Sequence, residues 1–171
     1  MNRICIIGNA GSGKSTLAHE LGKALSTPVY HLDRYLLKNN FEKVPRNEYH
    51  ANHASLVAGD TWIIDGNYKS LFGKRIARST LVVFLDVSRA ITIARVFRRL
   101  RNGGHPAYSV PDGARIDRVS WEFFKWTAGY NRRKYIKKLQ HDCLENGVPL
   151  VILKNAPIER WVQVIKNQLD I

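Results

Sequence analysis

Apolar positions along the chain fall into two patterns, short continuous runs and longer stretches in which apolar residues recur every three or four positions. The short runs predict buried strands, because helices cover both faces of a parallel sheet. Five such runs occur, at 4–7, 28–32, 61–64, 81–85 and 148–153. Amphipathic stretches separate them. The pattern predicts an α/β fold, a parallel five-stranded sheet covered by helices on both faces.

The amphipathic stretches predict helices at 15–25, 46–57, 90–100, 121–139 and 157–169. Glycine and proline interrupt the chain after the third of them, and few aliphatic residues follow up to position 117. We therefore expect a small mobile lid at 103–117. The polar and aromatic segment 34–58 is predicted to be a substrate-side insertion. The whole chain, 1–171, is predicted to form one domain.

Composition indicates where the protein is located and whether its cysteines are reduced. The 171 residues are 44% hydrophobic, but no apolar run approaches the roughly 20 residues of a membrane-spanning helix. A strand begins by residue 3, where a secretory leader would otherwise lie. We therefore expect a cytoplasmic protein that does not contact a membrane. Cys5 in an apolar strand and Cys143 in a helix are expected to be reduced, structural thiols.

Residues 8–15 fit the phosphate-binding loop pattern G-x-x-x-x-G-K-[ST], between a predicted strand and a predicted helix. Glycines let the backbone wrap so that successive N–H groups converge on a phosphate at the helix N-terminus. Lys14 would reach the β- and γ-phosphates, and the Ser15 hydroxyl would bind Mg²⁺. The predicted nucleotide-binding residues are Gly8, Asn9, Ala10, Gly11, Ser12, Gly13, Lys14, Ser15 and Thr16.

Two acids follow predicted strands at the edge where open α/β sheets bind ligands. Asp65 is predicted to hold Mg²⁺, although aspartate is also common in turns. Asp33 is a candidate catalytic residue that would either orient Mg²⁺ or accept a proton from a substrate hydroxyl. A helix-capping role is the alternative for Asp33. A base is needed only if the phosphate acceptor is an alcohol.

Arginines cluster in the helix after the fourth strand. Arg95, Arg98 and Arg99 can share one face at helical spacing, where they would neutralise phosphate charge; Arg95 and Arg98 are taken as catalytic candidates. A solvated basic face explains the same spacing. Arg115 and Arg118, at the end of the expected lid, are weaker candidates, and His105 lacks companions for a zinc site.

The chain resembles the DNA topology modulation proteins, a group of P-loop kinases related to adenylate kinase. The matching segments are 6–16, 29–33, 62–68, 84–86 and 121–123. The resemblance implies the sheet order 2-3-1-4-5 and an influence on DNA supercoiling. It also implies that Arg132 and Arg133 return to the γ-phosphate as catalytic residues. Asn67 and Tyr68 replace the Phe-Pro-Arg of nucleoside monophosphate kinases, and the missing arginine weakens the inference of a monophosphate acceptor.

Together these features predict an ATP-dependent phosphotransferase that requires Mg²⁺ and acts on an unidentified small molecule. The alternative is an ATP-regulated nucleic-acid-binding protein, because the net charge is +13 and aromatic and basic residues alternate in 121–138. Aromatics at helical spacing usually face a core with the basic residues outside, and we favour that interpretation of 121–138. GTP is less favoured than ATP, since no Asn-Lys-x-Asp motif follows the fourth strand.

Overall fold

The structure is a computed structural model that describes residues 1–36, 38, 42, 44–101, 127 and 129–171. Within these residues the strands are β1 (Arg3–Gly8), β2 (Val29–His31), β3 (Trp62–Asp65), β4 (Leu81–Leu85) and β5 (Leu150–Leu153). The helices are α1 (Lys14–Leu25), α2 (Leu32–Leu36), α3 (Arg46–Ala58), α4 (Phe72–Arg78), α5 (Arg89–Arg101), α6 (Arg132–Glu145) and α7 (Ile158–Gln168). A single 3₁₀ turn, Lys69–Leu71, precedes α4.

The five strands form one sheet in the order β2-β3-β1-β4-β5, and every neighbouring pair is parallel. This confirms the predicted sheet and its order. Parallel strands end at the same edge, so the residues that follow β1, β2 and β3 meet there. The register pairs Ile6 with Asp65, and Asp65 with His31.

Helices cover the two faces of the sheet, as predicted. Alternate residues of β1 point to opposite faces. Ile4 and Ile6 pack with α1 and α7, whereas Cys5 and Ile7 pack with α3, α4 and α6. Both cysteines are buried and free, as expected for structural thiols.

Three local features of the structure differ from the sequence analysis. The second strand ends at His31, and Asp33 lies in the first turn of α2. Helix α4 was not predicted, because it has only seven residues and no capping signal. The predicted helix 121–139 is not continuous, since Tyr130 is non-helical and α6 begins only at Arg132. Asn131 caps α6, its Oδ1 accepting from the Lys134 N–H at 3.0 Å.

Two other predictions concern the lid and contact with a membrane. The expected lid, 103–117, lies outside the described residues. Of the helices that the structure does describe, none has both the length and the apolar character needed to cross a bilayer.

The described core contains a buried histidine, His53, whose protonation would destabilise the fold. His53 of α3 is only 1% exposed, and neither of its ring nitrogens has a hydrogen-bond partner among the described residues. Burial, together with the positive charge of Arg75, lowers the pKa of His53 to about 4. The folded protein therefore keeps His53 neutral at a pH where the unfolded chain protonates it.

We expect this difference to destabilise the fold as the pH drops below about 6.5, the ordinary histidine pKa, down to about 4. Between pH 7 and pH 5 the free energy of unfolding should fall by about 2 kcal/mol because of this residue. Urea unfolding at several pH values will measure the slope in wild type and in His53→Leu. The exposed His141→Gln is the control. If His53→Leu keeps the wild-type slope, the acid sensitivity has another source.

Candidate active site

The phosphate-binding loop joins β1 to α1 with a backbone that requires glycine. Gly11 and Gly13 have φ values of 72° and 100°, in the left-handed region. Gly13 precedes the first residue of α1, and no side chain caps that helix. The helical ladder starts with the Leu17 N–H donating to the Gly13 carbonyl, so the preceding amides point out of the N-terminus. Such an end favours an anion.

Lys14 lies across the loop that it follows. Its Nζ donates to the Asn9 carbonyl at 2.9 Å. Loss of solvation lowers the pKa of Lys14, the carboxylates of Asp65 and Asp33 oppose this shift, and the positive charge of Arg99 adds to it. The ammonium group is therefore poorly solvated and close to other charged groups. A bound phosphate would give this ammonium group an additional negative charge to pair with.

Ser15 and Asp65 meet at the edge of the sheet. The Ser15 Oγ donates to Asp65 Oδ2 at 2.7 Å, although 50 positions separate the two residues. The other carboxylate oxygen, Oδ1, lies 2.6 Å from His31 Nδ1. Asp65 is 4% exposed and His31 6% exposed. Parallel pairing of β2 with β3 explains the contact between His31 and Asp65, since it sets these two residues side by side.

These residues fit a magnesium nucleotide. Mg²⁺ prefers oxygen ligands, and a hydroxyl and a carboxylate meet next to the lysine of the loop. The buried Ser12 hydroxyl has no hydrogen-bond partner among the described residues and lies in the same loop. A bound phosphate would satisfy such a group. The loop would therefore hold the phosphates, while Ser15 and Asp65 would hold the metal.

Asp33 lies close enough to Lys14 and Asp65 to interact electrostatically with both. Its Oδ1 accepts a hydrogen bond from the Tyr68 hydroxyl at 2.9 Å. Desolvation by the surrounding groups raises the pKa of Asp33, as does the Asp65 carboxylate, while the Tyr68 hydrogen bond and Lys14 oppose the shift. The residue remains exposed. It is thus an accessible carboxylate coupled electrostatically to both Lys14 and Asp65.

The clustered arginines of α5, Arg95, Arg98 and Arg99, occupy different positions. Arg95 Nη1 donates to the Ser12 carbonyl at 3.2 Å, and the Gly11 carbonyl lies at 3.5 Å. Arg99 is close enough to Lys14 to lower the lysine pKa. Arg98 is exposed. The structure therefore brings Arg95 and Arg99 to the loop, whereas the catalytic role of Arg98 remains only a prediction.

Arg132 and Arg133 lie at the start of α6 and line a cavity of about 450 Å³. Asn9 of the phosphate-binding loop lines the same cavity, so both arginines lie near the loop. Arg132 is already engaged, since its Nε lies 2.8 Å from Asp86 Oδ1. A volume of this size accommodates a small ligand. The geometry is compatible with phosphate binding by both residues.

The described part of the aromatic and basic region faces the core. Tyr130 and Tyr135 are buried and stack with ring centroids 4.2 Å apart. Lys134, Lys137 and Lys138 are exposed. This arrangement matches the core interpretation rather than a surface on which bases would stack. The remaining aromatics of 121–126, together with His105, Arg115 and Arg118, lie outside the described residues.

Sequence reasoning missed several contributors to the site, namely His31, Asn67, Tyr68 and Arg75. Asn67 hydrogen-bonds the backbone of Gly8, and Arg75 hydrogen-bonds the carbonyl of Gly66. His31 could have been found from its position at the end of β2, two residues before Asp33. Arg75 carried no signal, because an arginine in a short helix is normally exposed.

Comparisons with known proteins support the fold. No family model matches the chain, and no curated protein matches it. Among solved structures it is similar to shikimate kinase from Acinetobacter baumannii in complex with shikimate, with a TM-score of 0.61 and 13% identity over 99% of this chain and 94% of that one. It is also similar to deoxyadenosine kinase from M. mycoides, with a TM-score of 0.56 and 16% identity over 98% of both chains.

A shikimate kinase from Aquifex aeolicus has a TM-score of 0.56 and 19% identity over 98% of this chain and 96% of that one. At these identities the likeness concerns the fold. The chain has the α/β fold of P-loop kinases.

Proposed function

We propose that this chain is an ATP-dependent phosphotransferase that requires Mg²⁺ and acts on a small molecule. The observation that carries the proposal is the hydrogen bond of 2.7 Å between Ser15 and Asp65, beside Lys14 of the phosphate-binding loop. A hydroxyl, a buried carboxylate and a lysine at a helix N-terminus are the groups that a magnesium–triphosphate needs. The solved neighbours named as kinases support the same class of reaction.

In this proposal the loop amides and Lys14 hold the β- and γ-phosphates. Mg²⁺, when bound, neutralises charge on the phosphates, and Ser15 and Asp65 hold it. Arg95 and Arg99 lie beside the loop, where positive charge would stabilise the transferring group. Adenine remains the preferred base in this proposal, because the sequence has no guanine-reading motif after the fourth strand. Membership of the DNA topology modulation family is part of the proposal and rests on the sequence resemblance.

The acceptor in this proposal presents a hydroxyl group. An alcohol must lose its proton during transfer, so a carboxylate near the γ-phosphate is useful to it as a base. A phosphate acceptor needs no base, and a carboxylate would repel it. Asp33 supplies an exposed carboxylate whose pKa is raised by desolvation, a direction that improves a carboxylate as a proton acceptor. Tyr68 orients it.

Asp33→Asn should therefore abolish transfer while leaving nucleotide binding intact. We expect the transfer rate to fall at least about 100-fold, the lower end of what general-base catalysis contributes. Labelled ATP with a panel of sugars, nucleosides, nucleotides and other small alcohols will first identify an acceptor for the wild type. ATP affinity and transfer rate are then measured on Asp33→Asn and on the exposed control Asp60→Asn.

Two outcomes would contradict the hydroxyl acceptor. One is efficient transfer to a nucleoside monophosphate but to no alcohol. The other is a transfer rate in Asp33→Asn equal to that of Asp60→Asn. A wild type that binds ATP and Mg²⁺ but transfers phosphate to none of the compounds, while binding DNA with strong salt dependence, would favour the nucleic-acid alternative.

A further inference from the structure

Strand β3 ends at Asp65, although its neighbour β1 continues to Gly8. The last backbone bond between them is the Gly66 N–H donating to the Ile6 carbonyl at 3.3 Å. Alternate residues of a strand direct their N–H and C=O groups to the same neighbouring strand. Gly8 follows Ile6 by two residues, so the N–H and C=O of Gly8 also face β3. A longer β3 would have paired them with the Gly66 carbonyl and the Tyr68 amide. Neither backbone group is there, because the chain has turned away.

The side chain of Asn67 occupies this position. Its Oδ1 accepts from the Gly8 N–H at 3.2 Å, and its Nδ2 donates to the Gly8 carbonyl. A carboxamide has the same donor and acceptor as a peptide group. The side chain therefore continues the ladder where the backbone of β3 has left the sheet. Gly8 is also the first residue of the phosphate-binding loop.

The displaced backbone of Gly66 has its own partner. Gly66 has φ of 138°, and a Cβ on it would lie 2.9 Å from the Leu32 side chain, so the turn requires glycine. Arg75 Nη2 donates to the Gly66 carbonyl at 2.8 Å. The guanidinium is completely buried and lies over the Phe72 ring, 5.4 Å from its centroid. Arg75 thus holds the carbonyl that would otherwise have paired with Gly8.

We infer that Asn67 is a positioning residue that fixes the phosphate-binding loop relative to Asp65, the proposed magnesium ligand. Asn67 follows Asp65 by two residues and is bound to Gly8, so one short segment connects the carboxylate to the start of the loop. Arg75 holds the middle of that segment. Ser15 and Asp65 hold the metal only if the loop and the end of β3 keep their spacing. This inference rests on the proposed function, because it concerns the same magnesium nucleotide site.

The test separates metal-dependent from metal-independent nucleotide binding. Titration calorimetry will measure the affinity for ATP in Mg²⁺ and in EDTA, with Asn67→Ala, Asn67→Gln and wild type. Asn146→Ala is the matched control, because Asn146 also bonds backbone, its Nδ2 donating to the Asp142 carbonyl at 2.7 Å on the surface. All titrations are run well below each variant's measured melting temperature.

We expect Asn67→Ala to lose about tenfold or more of its affinity for ATP in Mg²⁺, since small misplacements of reacting groups have large effects. The loss in EDTA should be smaller. Asn67→Gln keeps the carboxamide and should recover part of the affinity, and Asn146→Ala should bind like wild type.

A lower melting temperature in Asn67→Ala with wild-type affinity in both conditions would overturn the inference, because the residue would then serve stability alone. Equal losses in Mg²⁺ and in EDTA would also overturn it. A wild type that binds no ATP in either condition would overturn the proposed function, and the inference would fall with it.

Discussion

Replacing Lys14 by alanine is expected to reduce ATP turnover at least about 100-fold, a loss of roughly 2.7 kcal/mol of transition-state stabilisation. The ammonium group lies over the loop, bonded to the Asn9 carbonyl at 2.9 Å. Lys14 is partly buried, and loss of solvation lowers its pKa, with Arg99 adding to this shift and Asp65 and Asp33 opposing it. Its position therefore favours a strong interaction with phosphate charge. Turnover of ATP by wild type and variant, with the acceptor that the panel of compounds identifies, measures the effect.

The control for this prediction is Lys23→Ala, in the same helix. Lys23 is exposed and forms a surface pair with Glu20 at 3.2 Å, so its removal should leave turnover unchanged. Thermal unfolding without ligand should show both variants folded, because neither lysine contributes apolar surface to the core. Wild-type turnover in Lys14→Ala would be incompatible with the phosphotransferase proposal.

Replacing Asp65 by asparagine is the second large effect that we expect. The buried carboxylate accepts from Ser15 and lies against His31, and asparagine keeps its shape while removing its charge. Mg²⁺ depends on that charge, so Mg²⁺-dependent turnover should fall at least about 100-fold. ATP binding in EDTA should persist, because the loop is unchanged. Turnover across a range of Mg²⁺ concentrations will report the loss.

Two comparisons make the Asp65 result specific. Asp60→Asn removes an exposed carboxylate near the start of β3 and should retain the wild-type magnesium dependence. Ser15→Ala removes the other proposed metal ligand and should shift that dependence in the same direction as Asp65→Asn. If Asp65→Asn responds to Mg²⁺ like wild type, Asp65 is not a magnesium ligand and its role is confined to packing Ser15 and His31.

The strands were predictable because each depends on a local pattern. A buried parallel strand is a short apolar run, and all five runs form strands of one sheet. The elements that sequence reasoning missed have weak local signals. Helix α4 is short, and the interruption before α6 depends on Asn131 acting as a cap rather than as one more helical residue.

The candidate site divides in a similar way. The proximity of Ser15 to Asp65 could be anticipated, since a strand-end acid and the phosphate-binding loop must meet at one edge of a parallel sheet, and their role as magnesium ligands stays a prediction. Arg98 and Arg99 could not be separated, because both lie on the same broad face of one helix. Only the packing of α5 over the loop brings Arg99 toward Lys14 and leaves Arg98 exposed.

By itself, the sequence determined the α/β class, the phosphate-binding loop and the acid at the end of β3, because each depends on a local pattern of residues. The tertiary structure decided the contacts that position them. Asn67 meets Gly8 across 59 positions, and His31 meets Asp65 across 34. Such pairs depend on strand order, on register and on where β3 leaves the sheet, and none of these is encoded within a local stretch of chain.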